Sequence, residues 1–154
     1  MDRLPDLPPF TTRIVLLFSC LLLAFAVYGP SLGNGFVQWD DGSLIYQNPA
    51  VVEMSWGSLK RAFTTYDPEL YVPLTLLSYQ IDHALGDGSP FPFHLQSLLL
   101  HALNALLVCW LTYLILRNRL VAVLIAAVFL VHPLHTEAVA WASGRGRGSW
   151  LDAI

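Results

Sequence analysis

The feature that most constrains this chain is a set of long apolar runs without charged residues. No charge lies between Arg13 and Asp40, and the runs 14–32 and 93–116 are each long enough to cross the roughly 30 Å core of a bilayer as a helix. A shorter run, 120–136, still suffices with little tilt. Only 12% of the 154 residues are charged, against about a quarter in soluble proteins. The sequence predicts an all-α membrane protein with about three transmembrane helices and a long outer loop that carries short interfacial helices.

The first run has a second interpretation, as a cleaved signal peptide. Ala24-Phe25-Ala26 resembles a small-x-small cleavage site after a short apolar core. The leading tail 1–13 lacks the net positive charge of such peptides, because its acidic residues offset its arginines. We therefore expect the run to be kept as a transmembrane helix, and cleavage remains the alternative.

Charge placement predicts how the chain crosses the membrane. Arg117 and Arg119 lie in the tight connection between the second and third runs, so the positive-inside tendency makes that face cytoplasmic, together with the tail 1–13. The acidic segment 33–92 and the last segment, 137–154, are then outside. This topology is that of a multi-pass membrane protein.

The outer segment contains aromatic side chains that favour the lipid–water interface, and helical spacing predicts interfacial helices over 56–64 and 73–85. The net charge is −3 with no basic cluster, which excludes a nucleic-acid binder. Cys20 and Cys109 lie in apolar runs as small hydrophobic residues, and no disulfide is predicted.

Polar residues inside the second run need an explanation because they are costly in lipid. His94, Ser97, His101 and Asn104 share one quadrant of a helix, so this polar stripe should face a bundle interior. Hydrogen bonding between helices is the simpler interpretation, and a lining role for His94 is the alternative.

Two further clusters allow either a structural or a chemical role. Asp40 and Asp41 follow the first span and predict an Asx turn near Gly42, or else a general base or a divalent-cation site. The sequence HPLHTE, with His132 and His135, could hold zinc, but a helix capped by Thr136 is simpler.

Four segments together resemble a known family. They are FVQWDD followed by Asn48-Pro49, then YVPLTLLSYQIDHALG, FHLQSLLLHALNALL and HPLHTEAVAWAS, in this order between about residues 33 and 143. This series is similar to the start of the membrane domain of the transmembrane, tetratricopeptide-repeat O-mannosyltransferases and their bacterial relatives, which are C-type glycosyltransferases.

The resemblance implies a membrane enzyme that moves a sugar, such as mannose, from a polyprenyl-phosphate donor to a hydroxyl group of a protein or glycan. Such an enzyme lies in the bacterial inner membrane or the endoplasmic reticulum, with its active face outward or lumenal. An acidic residue of the first outer loop is the base in such enzymes, which points to Asp40 or Asp41. His94, His101, His132 and His135 are candidates for contacting the donor phosphate or lining its site. A divalent cation at the aspartate pair stays open as a cofactor.

The sequence departs from the family after Ser143. Relatives continue with a charged Arg-Lys-Asp step, whereas this chain reads SGRGRGSWLDAI, with Asp152 as a poor substitute. We expect an amino-terminal fragment or a frameshifted product that is too short to be active alone. The alternatives are a scaffold or assembly subunit that binds a partner helix through the polar stripe, and a less favoured transport subunit, since no span carries a central acidic residue.

Overall fold

The computed structural model describes residues 10–64 and 71–144 of the chain. Most of the predicted tail 1–13 and, with Asp152, the end of segment 137–154 lie outside these residues. Within the described ranges the chain is helical and contains no β-strand, which confirms the predicted fold class. The α-helices are α1 (Phe10–Tyr28), α2 (Pro49–Val52), α3 (Trp56–Thr64), α4 (Pro73–Gly86), α5 (Phe91–Leu116), α6 (Arg119–Val131) and α7 (Thr136–Ala140).

Two segments of the described chain are long and apolar enough to cross a membrane. They are Ile14–Gly33 and Phe91–Leu116, with mean hydropathies of 2.1 and 2.0. A third candidate consists of α6 and the segment Pro133–Ala140, which are bent by 51° where they join. The structure therefore has two or three possible spans by length and composition.

The bend after α6 has a local cause in the sequence. Pro133 has no backbone N–H and cannot continue the helical hydrogen bonding, so α6 ends at Val131 and a short 3-10 turn, Pro133–His135, follows. His132 caps this turn, because its Nδ1 accepts a hydrogen bond from the Leu134 N–H at 3.3 Å. The predicted cap at Thr136 is wrong, since Thr136 is already helical and forms the first residue of α7.

The chain divides into two compact units. The helical unit consists of Met1–Gly29 and Leu98–Thr136, and the loop unit consists of Pro30–Ser97 and Glu137–Ile154. Helix α5 contributes its first two turns to the loop unit and the rest of its length to the helical unit.

The loop unit has its own apolar core, drawn from segments that are far apart in sequence. Phe93 is fully buried and its ring lies edge-on to Phe36, with centroids 5.5 Å apart, and 5.9 Å from the ring of Tyr79. This core holds together the start of segment 33–92, α4, the start of α5 and the chain after α7. Its buried members are Ile45, Val51, Ala62, Leu76, Tyr79, Phe93 and Ala142.

Short polar residues set the helix boundaries of the loop unit. Asn48 caps α2, because its Oδ1 accepts the Ala50 N–H at 2.8 Å. The Ser55 Oγ accepts the Ser58 N–H at 3.1 Å, and the Ser58 Oγ accepts the Ser55 N–H at 2.9 Å. These two bonds fix the start of α3 at Trp56, where the sequence predicted it. Helix α4 ends at Gly86, where a Cβ atom would lie 2.5 Å from the Pro92 ring.

Candidate functional site

The two adjacent aspartates occupy different environments. They form the helical turn that precedes a short π-helix, Gly42–Tyr46. Asp41 is fully buried, with none of its surface exposed, whereas Asp40 is half-buried. Asp40 therefore keeps part of its surface open to a substrate, although its Oδ2 oxygen is buried, whereas Asp41 has no exposed surface.

Asp41 is fixed by two backbone N–H groups. Its Oδ2 accepts a hydrogen bond from Val37 at 2.8 Å, and its Oδ1 accepts one from Ser143, 102 positions along the chain, at 3.1 Å. A carboxylate held through both oxygens is firmly oriented, since such bonds are stronger than neutral ones. Neither of these Asp41 bonds goes to the backbone near Gly42, so Asp41 does not form the predicted Asx turn there.

Ser143 joins three of the motifs that carry the family resemblance. It is fully buried, it donates its N–H to Asp41, and its carbonyl accepts a hydrogen bond from the Tyr79 hydroxyl at 3.0 Å. The WDD motif, the α4 motif and the VAWAS motif therefore meet at one residue. No role for Tyr79 or Ser143 was predicted from the sequence, and the only available signal was that their motifs occur together.

We expect Tyr79→Phe to lower the free energy of unfolding by about 1–2 kcal/mol, because the Ser143 carbonyl would lose a hydrogen bond in a buried place. Tyr71→Phe is the matched control. The Tyr71 hydroxyl also donates to a carbonyl, that of Phe63 at 3.2 Å, but the Tyr71 side chain is 50% exposed and water can replace the bond. We therefore expect Tyr71→Phe to lower the free energy of unfolding by less than about 0.5 kcal/mol. Thermal unfolding in detergent micelles measures both. Equal losses of unfolding free energy in the two variants would show that the buried Tyr79 bond stabilises the fold no more than the exposed Tyr71 bond does.

The polar stripe of α5 is buried over most of its length. His94, Ser97 and His101 are 1%, 3% and 6% exposed, as expected for side chains that face a bundle interior, but Asn104 is exposed and does not belong to the buried stripe. The Ser97 hydroxyl donates to the Phe93 carbonyl of its own helix at 2.9 Å. His94 belongs to the loop unit, as do the two aspartates.

The other three candidate histidines lie together in the helical unit. His101 Nε2 is 3.0 Å from the Leu130 carbonyl, a hydrogen bond between α5 and α6 that matches the structural interpretation of the stripe. The ring of His135 lies 5.1 Å from that of His101 and 6.1 Å from that of His132. The Tyr28 ring meets His101 edge-on at 5.3 Å, and its hydroxyl donates to the His132 carbonyl at 3.3 Å.

The donor atoms of the described residues do not form a ready metal site. Over residues 10–64 and 71–144, no group of three or more His, Cys, Asp or Glu side chains could hold a metal ion. At the aspartate pair, both Asp41 oxygens already accept backbone hydrogen bonds, so a cation there would have to draw on Asp40 and on ligands from elsewhere. The arrangement suits one positioned carboxylate beside another that is partly accessible.

Known proteins with similar sequences share a name. Protein O-mannosyl-transferase Tmtc2 of Drosophila melanogaster is 34% identical over 143 residues, which cover 83% of this chain and 15% of the relative. Human TMTC1 is 34% identical over 137 residues, which cover 82% of this chain and 15% of the relative. Human TMTC3 is 31% identical over 130 residues, which cover 78% of this chain and 14% of the relative. Both are also named protein O-mannosyl-transferases.

The matched part is most of this chain and a small part of each relative. The chain spans about 15% of the length of these curated relatives. No protein-family profile matches it, and no solved structure matches it. The identity and the coverage of the chain confirm the resemblance seen in its four motifs, so the chain belongs to the TMTC family of protein O-mannosyl-transferases.

Proposed function

We propose that the chain forms the amino-terminal part of a multi-pass membrane glycosyltransferase that transfers mannose from a polyprenyl-phosphate donor to a hydroxyl group of a protein. The name of the relatives supports mannose and a protein acceptor. The apolar helices support a membrane setting, in which a lipid-linked donor is available. The lipid-linked donor itself follows from the resemblance to C-type glycosyltransferases.

Asp40 is the general base in this proposal. The single observation that carries the assignment is the contrast within the pair: Asp41 is buried and bound through both oxygens, whereas Asp40 is half-buried beside it. Asp40 accepts the proton of the acceptor hydroxyl as that oxygen attacks the anomeric carbon of the sugar. The bond between the anomeric carbon and the phosphate oxygen breaks, the lipid phosphate leaves with the bonding pair, and the configuration inverts.

The WDD motif then belongs on the outer or lumenal side of the membrane. The support is the charge pattern, with Arg117 and Arg119 in the short connection between α5 and α6 and the acidic residues in the segment that contains Asp40. Accessibility of a cysteine introduced at the exposed Trp39 to a membrane-impermeant reagent, in sealed vesicles of known orientation, measures this. Labelling from the cytoplasmic side would contradict the proposal.

The scaffold alternative gains no support from the structure. It required the polar stripe of α5 to bind a partner helix, but His94, Ser97 and His101 are buried within the chain. Asn104 is the one residue of the predicted stripe that is exposed and could contact a partner helix. The histidines are therefore assigned to internal contacts, and His94 stays a candidate for the donor site because it shares a unit with Asp40.

A chimaera tests the donor class. This chain would replace the segment that it matches in human TMTC1, and the purified protein would be placed in liposomes with an acceptor polypeptide. We expect radiolabelled mannose to be transferred from polyprenyl-phosphate mannose and not from a nucleotide-linked mannose alone. TMTC1 without the segment, and this chain by itself, are the inactive controls. Transfer from the nucleotide sugar alone, or equal transfer without the segment, would refute the proposal.

A further inference from the structure

The helical unit contains a groove that the glycosyltransferase proposal does not use. It has a volume of about 420 Å³ and is formed by α1, α5 and α6 together. Its walls are almost entirely apolar, and Trp110, Leu17 and Val123 on those walls are 54%, 42% and 39% exposed. The lining also includes Thr12, Leu16, Leu106, Tyr113 and Arg119.

The groove is polar at one end and apolar along its depth. Thr12 lies near the start of α1, Tyr113 near the end of α5 and Arg119 at the start of α6, so these three mark one end. Leu106 lies about 10 Å from Tyr113 toward the start of α5, at a rise of about 1.5 Å per residue. A molecule that fills this groove has a polar head and an apolar tail.

The charge at the polar end is not balanced within the described part of the helical unit. Residues 10–29 and 98–136 contain no aspartate or glutamate. The Arg119 guanidinium lies 5.8 Å from the centroid of the Tyr113 ring and remains exposed, and Arg117 lies two positions earlier. The positive end of the α6 dipole adds to this charge. An anionic group in a bound molecule would complement this charge.

We propose that this groove binds an anionic phospholipid, with its phosphate at Arg119 and one acyl chain against Leu16, Leu106 and Val123. Basic sites between transmembrane helices bind anionic headgroups in this way. A second copy of the chain fits less well, because it would bring another Arg119 to the same place. An apolar helix would fill the walls but would leave the arginine without an anionic partner.

Native mass spectrometry of the full chain, released from nanodiscs, tests the headgroup. We expect phosphatidylglycerol to be retained in preference to phosphatidylcholine, and Arg119→Gln to reduce that preference about fivefold. Arg117→Gln is the matched control, since it removes an equal charge from an exposed turn residue that does not line the groove. We expect less than about a twofold change for it. Equal effects of the two variants, or no headgroup preference, would overturn the proposal.

A second variant tests the acyl-chain part of the groove. Val123→Trp places a large side chain at an exposed lining position, so the chain should still fold and should retain less of either lipid. Lipid retention equal to that of the unchanged protein would overturn the proposal. The proposal would also be overturned if the unchanged protein were a dimer and Val123→Trp dissociated it, because a second copy of the chain would then occupy the groove.

Discussion

Asp41→Ala should lower the free energy of unfolding by about 2 kcal/mol or more, and should do so by releasing the chain after α7 from the WDD motif. The backbone N–H groups of Val37 and Ser143 would both lose a charged acceptor. The Ser143 N–H stays buried, so its loss costs about 1–3 kcal/mol. The loss at Val37 costs less, because Val37 is 49% exposed and water can replace part of the bond. Asp41→Asn should have a smaller effect, because the amide oxygen can still accept one of the two bonds.

Thermal unfolding in detergent micelles and amide hydrogen exchange measure this effect. The exchange measurement is the more specific, since the Val37 and Ser143 amides should lose protection before the rest of the loop unit. Glu53→Ala is the control, because it removes an exposed carboxylate and should change the stability by less than about 0.5 kcal/mol. Unchanged protection of both amides in Asp41→Ala would show that the carboxylate does not hold the two segments together.

The helices of this chain could be predicted because their causes are local. The apolar lengths of 14–32 and 93–116 are enough to predict the first two spans, and the bend after Val131 follows from Pro133. The start of α3 follows from the polar residues just before it. The Thr136 cap was mispredicted because the turn Pro133–His135, which the His132 nitrogen caps four positions before Thr136, continues directly into α7.

The site could be predicted only in part, because its contacts join distant positions. Nothing in the local sequence pairs Asp41 with Ser143, or Tyr79 with Ser143. The order of the motifs pointed to a family, but periodicity and spacing treat Asp40 and Asp41 alike. Their different burial arises from the tertiary packing of the loop unit and is what separates a positioning residue from a candidate base.

The histidines illustrate the same limit. Helical spacing placed His94, His101 and Asn104 on one stripe, and burial agrees for the first two but not for Asn104. Spacing on one helix does not show which neighbouring segments cover it. His101 contacts the Leu130 carbonyl and the ring of His135, which the sequence places about 30 positions away, so its environment depends on how α5 and α6 pack.

Asp40→Asn should reduce mannose transfer by the TMTC1 chimaera about 10²–10⁴-fold, which is the contribution expected of a general base. The fall should be in kcat, with the KM for the lipid-linked donor nearly unchanged, because the base acts on the acceptor proton only as the reaction proceeds. The folded state should be retained, since asparagine has almost the same size and Asp40 is half-buried. Asp40→Glu should keep more activity than Asp40→Asn because it keeps a carboxylate.

The comparison with Asp41→Asn separates chemistry from positioning. If Asp41 only positions the loop, Asp41→Asn should lose activity together with stability, and it should regain part of its activity at lower temperature. Asp40→Asn should be equally inactive at every temperature at which it is folded. Transfer rate and melting temperature, measured on the same preparations, decide between the two. Full activity in Asp40→Asn would show that Asp40 is not the base. If instead Asp41→Asn is inactive at every temperature and its melting temperature is unchanged, the chemistry belongs to the buried Asp41 carboxylate.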